Sequence, residues 1–156
     1  MSLDRFHQAQ AGSWSGYATA LAEMHAGRKT SHWIWYIFPQ LDGLGHSSTA
    51  RECALRDLDA ACDYLRDPVL RARYEEITTA VAEHLEHGAP LEELMGGSTD
   101  AYKLASSLTL FRAAASKLTT SDPTFSGLVQ RCAAILARTA MQGYPPCAFT
   151  LGRCAA

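Results

Sequence analysis

Between Val69 and His87 apolar side chains return at Leu70, Tyr74, Ile77, Val81 and Leu85, a spacing that only an α-helix gathers onto one face. Arg71, Arg73, Glu75, Glu76 and Glu83 fall mostly off that stripe, so one side of the helix meets a core and the other meets water. The same periodicity, broken by glycine and proline, runs through most of the chain. It predicts helices over residues 15–25, with Gly27 as the C-terminal cap, over 48–53, and through Leu58, Ala61, Tyr64 and Leu65. Pro68 then opens the 69–87 helix. A short turn over 91–95 follows, then helices over 100–116 and 125–141, the last with Leu128, Val129, Cys132, Ile135 and Leu136 inward.

The fold class expected is mainly α, a compact helical bundle-like domain of six to eight helices covering residues 1–156. Its expected core includes Leu21, Leu70, Tyr74, Ile77, Val81, Leu108, Phe111 and Leu128. Residues 143–156 carry Pro145 and Pro146 and read as an irregular tail with a short extended piece at 147–151.

A 156-residue chain with 47% hydrophobic residues can bury one sizeable core. The net charge of −2, without any run of Lys or Arg, offers no general attraction to a phosphate backbone, so nucleic acid is not an expected partner. The start, MSLDRFHQAQ, has no basic stretch followed by an apolar one, and no apolar run is long enough for a bilayer. The expectation is a cytoplasmic protein with no membrane partner. Cys53, Cys62, Cys132, Cys147 and Cys154 form no C-x-x-C pair and are expected as reduced, buried or peripheral thiols. His84 and His87, three apart, have a chelating spacing but no third ligand in sequence, so a solvated helix end is expected and neither a metal nor another cofactor.

Two stretches carry chemistry. In SHWIWYIFPQLDGLGHSS, Trp33 to Phe38 is a continuous apolar run ambiguous between strand and helix. Ser31 as an N-cap, Pro39 as a stop and the helical neighbours incline it to helix. Arg28, Lys29, Ser31 and His32 precede the rings, and Gln40 and His46 follow. Cations beside aromatic faces suit a ligand with a flat ring and an anionic part, such as a nucleotide. The second stretch, GGSTDAYKLASSLTLF, opens a helix with glycines and hydroxyls, where Ser98 or Thr99 is the expected N-cap and the N–H groups offer an anion site. It lacks the P-loop spacing. Asp100, Lys103 and Ser107 share one stripe of that helix with Ser106 on its flank, which admits a Ser–Lys nucleophile and base. An ordinary Asp100–Lys103 pair with two serines bonded back to the helix is the plainer account.

The blocks GRKTSHWIWYIFPQLDGLGHSSTA, LRDPVL and DAYKLASSLTLF resemble the signature of the bacterial family called domain of unknown function 1810, some of whose members are labelled calpastatin. The likeness runs from about residue 3 to residue 151. Cys53, Ala54 and Leu55, and also Ala60, depart from the family pattern outside the two most distinctive blocks. The resemblance implies a compact, mostly helical domain and supplies no activity.

Three functions are consistent with these patterns. One is binding or hydrolysis of a nucleotide-like small molecule, for example of ADP-ribose type, with Trp33, Trp35 or Tyr36 stacking, Arg28 and Lys29 on phosphate, and His32 or Asp100 as acid or base. Another is a non-enzymatic interaction module using the aromatic block as its face. The third is a Ser–Lys hydrolase. The two blocks are expected to meet in the fold, placing His32 and at least one of Lys103, Ser106 or Ser107 around a shared pocket walled by Trp33 or Trp35.

Overall fold

A computed structural model describes residues 2–155. Among them the chain forms ten α-helices: α1 (Asp4–Gln10), α2 (Tyr17–Ala26), α3 (Ile34–Ile37), α4 (Ser48–Cys53), α5 (Leu58–Arg66), α6 (Pro68–Glu86), α7 (Leu91–Met95), α8 (Ser98–Thr119), α9 (Ser126–Met141) and α10 (Ala148–Cys154), with a 3₁₀ turn at Pro123–Phe125. No helix among the described residues is long and apolar enough to cross a membrane. Among the described residues the one β-like contact is an isolated parallel bridge between Leu41 and Leu55.

The 22-residue helix α8 is the axis of the molecule. Residues 104–111 are all buried, because α3, α5, α7, α9, α10 and the 3₁₀ turn pack around it. Helix α6 lies behind α5 and α9 and presents its stripe, with Leu70, Tyr74, Ile77, Val81 and Leu85 all essentially inaccessible. Tyr74 and Phe111 meet at 4.4 Å between ring centroids, and Tyr64 joins Phe111 at 5.2 Å. This ring cluster ties α5, α6 and α8 together. Of the expected core, Leu21 is only half-buried; Ala20 and Met24 carry the inward face of α2 instead.

Two helices were not expected. α1 has a single large apolar residue, too little for a periodic signal. Phe6 nevertheless stands edge-on to Tyr64 at 5.1 Å, and Gln10 donates to the Tyr36 carbonyl at 2.9 Å. Tertiary anchors, not periodicity, hold this helix. α10 replaces the extended piece expected at 147–151: Pro145 and Pro146 end before the helix begins, so they delimit it from outside. The ambiguous aromatic run makes one helical turn, α3. Its N-cap is Trp33 and not Ser31.

Candidate functional site

The two distinctive blocks meet at the start of α8. The Lys29 N–H donates to the Leu94 carbonyl at 2.8 Å, and the turn between α7 and α8 comes so close that a Cβ on Gly96 would lie 2.8 Å from the Lys29 carbonyl oxygen. Gly96 also has a φ of 79°, in the left-handed region that favours glycine. The N-cap of α8 is Gly97, so neither Ser98 nor Thr99 serves as the cap.

Across this seam the Lys29 ammonium is 2.6 Å from Asp100 Oδ2, donates to the Ser31 carbonyl at 2.6 Å, and lies 5.0 Å from the ring centre of Trp33. Asp100 Oδ1 faces a second ammonium, that of Lys103, at the longer distance of 3.6 Å. Lys103 in turn lies 4.8 Å from the ring centre of Trp35. Two cations thus share one carboxylate, each against an indole. The trio carries a surplus positive charge, and Lys103, the less tightly held, is the one that reaches open space.

That space is a cavity of about 660 Å³. The first half of α8 forms one wall with Thr99, Tyr102, Lys103 and Ser106, and the other comes from Trp35, the loop over 40–47 and α4. Leu41, Leu44, Ala50, Cys53 and Ala54 make much of its lining apolar, while Gln40, His46 and Ser47 add polar groups. The loop is fixed at its base because Leu55 donates to the Gln40 carbonyl at 2.9 Å and Asp42 donates to the Leu55 carbonyl at 2.8 Å. Ser47 accepts from the Ala50 N–H at 3.1 Å and starts α4. Tyr102, 60% exposed, stands edge-on to Tyr144 with ring centroids 4.8 Å apart.

Cys147 completes the lining as the N-cap of α10. Its N–H donates to Thr109 Oγ1 at 3.0 Å. Burial opposes ionisation of the thiol, but the hydroxyls of Thr150 and Ser106 and the N–H groups of Thr150 and Phe149 outweigh it and bring Cys147 below the usual thiol range.

Of the residues singled out in sequence, Trp35, Gln40, His46, Lys103 and Ser106 line the cavity, and Asp100 and Lys29 form the charged cluster beside it. The others stand elsewhere. His32 is exposed and outside the lining, and its carbonyl accepts from the Tyr36 hydroxyl at 3.2 Å. Arg28 is exposed. Trp33 is wholly buried, with its indole N–H donating to Glu23 Oε1 at 3.0 Å, and Ser31 donates its hydroxyl to Glu23 Oε2 at 2.5 Å. Ser107 turns to the core, 2.9 Å from the Tyr74 hydroxyl. His84 and His87 bond backbone carbonyls of His25 and Glu83, and no cluster of three metal-ligating side chains occurs among the described residues.

Sequence reasoning missed Tyr102 and Cys147 as lining residues and had Thr99 only as an expected cap within a possible anion site. Thr99 stands one turn before Lys103 on the same face of α8, a signal present in the pattern. Cys147 reaches the cavity through a chain reversal after α9 that no local pattern announces.

A family model described as a protein of unknown function, DUF1810, matches residues 1–134. No curated protein matches the chain. Among solved structures, the crystal structure of the conserved hypothetical protein Rv1873 from Mycobacterium tuberculosis is similar, with 34% identity and a TM-score of 0.78, over 99% of this chain and 96% of that one.

Proposed function

The chain belongs to the DUF1810 family of proteins of unknown function, and we propose that its cavity binds a small planar ligand carrying an anionic group, of which a nucleotide is the type. One observation carries this reading. The Lys103 ammonium lies over the Trp35 ring at the cavity wall while its carboxylate partner, Asp100, is already held at shorter range by Lys29. A ligand anion therefore meets a cation that its own partner neutralises only in part, and a flat ring finds an indole and a phenol beside it. The cavity volume, about 660 Å³, is within the usual range for small-molecule sites.

Binding is better supported than hydrolysis. Lys103 faces the Asp100 carboxylate at 3.6 Å and Ser106 donates its hydroxyl to the Tyr102 carbonyl at 3.0 Å, so a Ser–Lys pair finds no support here. The interaction-module reading needs an exposed aromatic face. Trp33 is inaccessible and Trp35 half-buried, which weighs against it.

The test is thermal unfolding with AMP, ADP-ribose, adenosine and inorganic phosphate. A ligand at a hundred times its Kd stabilises by about 2.7 kcal/mol. The expected result is that AMP or ADP-ribose raises Tm more than adenosine or phosphate does, and that Lys103→Ala removes the advantage. Absence of any shift at millimolar AMP and ADP-ribose, or an undiminished shift in Lys103→Ala, overturns the reading.

A further inference from the structure

Gln10 and Gln142 each use both ends of the carboxamide. Gln10 donates to the Tyr36 carbonyl at 2.9 Å and accepts from Arg73 at 3.1 Å, while Gln142 donates to the Ala89 carbonyl at 3.2 Å and accepts from the Leu91 N–H at 2.6 Å. Gln40 differs. It stands half-buried in the cavity wall, and its carboxamide has no hydrogen-bond partner among the described residues.

The base of this side chain is nonetheless firmly placed. Pro39, buried directly before it, fixes the approach of the chain, and the Gln40 carbonyl accepts from the Leu55 N–H at 2.9 Å beside the Leu41–Leu55 bridge. Gln40 therefore presents one donor pair and one acceptor from a fixed point that the fold itself does not use. Its neighbours in the lining, Leu41, Cys53 and Ala54, offer apolar surface, so solvent is what the carboxamide meets. A ligand that fills the cavity takes that solvent away. It must then supply a donor and an acceptor of its own, or leave both ends of Gln40 unpaired, which is why a site built to hydrogen-bond rejects an analogue lacking the matching group far more strongly than an apolar wall rejects a wrong shape.

We propose that Gln40 is the specificity-determining residue of the cavity, and that the ligand's ring carries an adjacent hydrogen-bond donor and acceptor on one edge, as a nucleobase does. The inference rests on the nucleotide reading above and narrows it. Trp35 and Gln40 belong to the same wall, with Lys103 on the wall formed by α8. The ring lies on Trp35 with its edge toward Gln40, whose Oε1 accepts from the ring donor and whose Nε2 donates to the ring acceptor, while the anion is met by Lys103. A carboxamide serves either order of donor and acceptor by turning about its last torsion, so 6-amino and 6-oxo purines both qualify. Aryl phosphates and aryl carboxylates, flat and anionic but without such an edge, do not.

The test is calorimetric titration of the full chain with AMP, IMP and purine riboside 5′-monophosphate. The three share ribose and phosphate and differ at the edge of the base: AMP and IMP pair a donor with an acceptor, whereas the unsubstituted purine has acceptors only. AMP and IMP are expected to bind at least about tenfold more tightly than purine riboside 5′-monophosphate, the size of penalty that an unpaired polar group carries. Gln40→Met, which keeps the bulk and removes both polar ends, is expected to bring AMP and IMP down to the level of the unsubstituted purine, and Lys103→Ala to weaken all three together with the preference kept. Equal affinity of the three ligands for the wild-type protein, or a preference undiminished in folded Gln40→Met, overturns the role of Gln40 while the nucleotide reading stands. Failure of all three to bind overturns both.

Discussion

The Lys29 ammonium lies 2.6 Å from Asp100 Oδ2 with only 5% of its side chain exposed, and this contact locks the loop after α2 onto the first turn of α8. Removing one member of a buried pair leaves the other charge uncompensated. Lys29→Met is therefore expected to destabilise the protein by about 2–4 kcal/mol, a drop of several degrees in Tm. Asp100 then has only Lys103 to neutralise, so the anion response of the cavity should also fall. A Tm within a degree of wild type in Lys29→Met contradicts the first expectation, and an unchanged AMP shift contradicts the second.

Lys103, Ser107 and His32 separate binding from folding. The Lys103–Asp100 pair is long and partly exposed, the kind worth about 0–1 kcal/mol, so Lys103→Ala should fold normally while losing the ligand response. Ser107→Ala leaves the buried Tyr74 hydroxyl without its partner and is expected to cost about 1–2 kcal/mol with the ligand response intact. His32→Ala, a change at an exposed site outside the cavity lining, should alter neither quantity. Paired denaturant and ligand titrations of the three variants check this; loss of ligand response in Ser107→Ala or His32→Ala contradicts the geometry.

Glu23 supplies a pH dependence. Burial alone would raise its carboxyl, but hydrogen bonds from the Ser31 hydroxyl, the Thr30 and Ser31 N–H groups and the Trp33 indole lower it from 4.5 to about 2. A carboxylate whose folded value is depressed stabilises fully above its unfolded value and loses that contribution as pH falls through the folded one. The contribution, about 1–2 kcal/mol after allowance for solvent screening, should disappear between about pH 4.5 and pH 2. Guanidinium unfolding at pH 6 and pH 3 should show a smaller pH loss in Glu23→Gln than in wild type. Equal slopes in the two proteins exclude Glu23 as the source.

The helices with strong apolar periodicity were legible because each presents a stripe to one core: the Leu70–Leu85 stripe lies buried as the spacing predicts. α1 and α10 were not, since what holds them is Phe6 against Tyr64 and Cys147 on Thr109, contacts between residues far apart in sequence. The site divides in the same way. Lys103, Ser106 and Trp35 lie in the two blocks that composition marks out, and they line one cavity. The direction of Ser107 and Trp33 depended on partners in other helices, Tyr74 and Glu23, and a helical wheel holds no record of them. Adjacent serines on α8 thus face opposite surroundings, Ser106 the cavity and Ser107 the core.

Gly96 and Gly88 form a matched pair that isolates the close approach of the two blocks. Both hold φ in the left-handed region, 79° and 85°, so alanine carries the same backbone penalty of about 1–2 kcal/mol at each. They differ in what the new methyl group meets. At Gly88 nothing lies within 4 Å, whereas at Gly96 the Cβ falls 2.8 Å from the Lys29 carbonyl oxygen, a backbone atom that cannot step aside alone. Gly96→Ala must push the α7–α8 turn away from the loop that carries Lys29, stretching both the Lys29 N–H to Leu94 hydrogen bond and the Lys29–Asp100 pair. It is expected to cost at least about 1 kcal/mol more than Gly88→Ala. It should also reduce the AMP response, because Asp100 released from Lys29 draws in Lys103, and Gly88→Ala should leave that response untouched. Equal destabilisation of the two variants by guanidinium unfolding contradicts a tight seam at Gly96, and an unaltered AMP response in a folded Gly96→Ala protein separates the seam from the cavity.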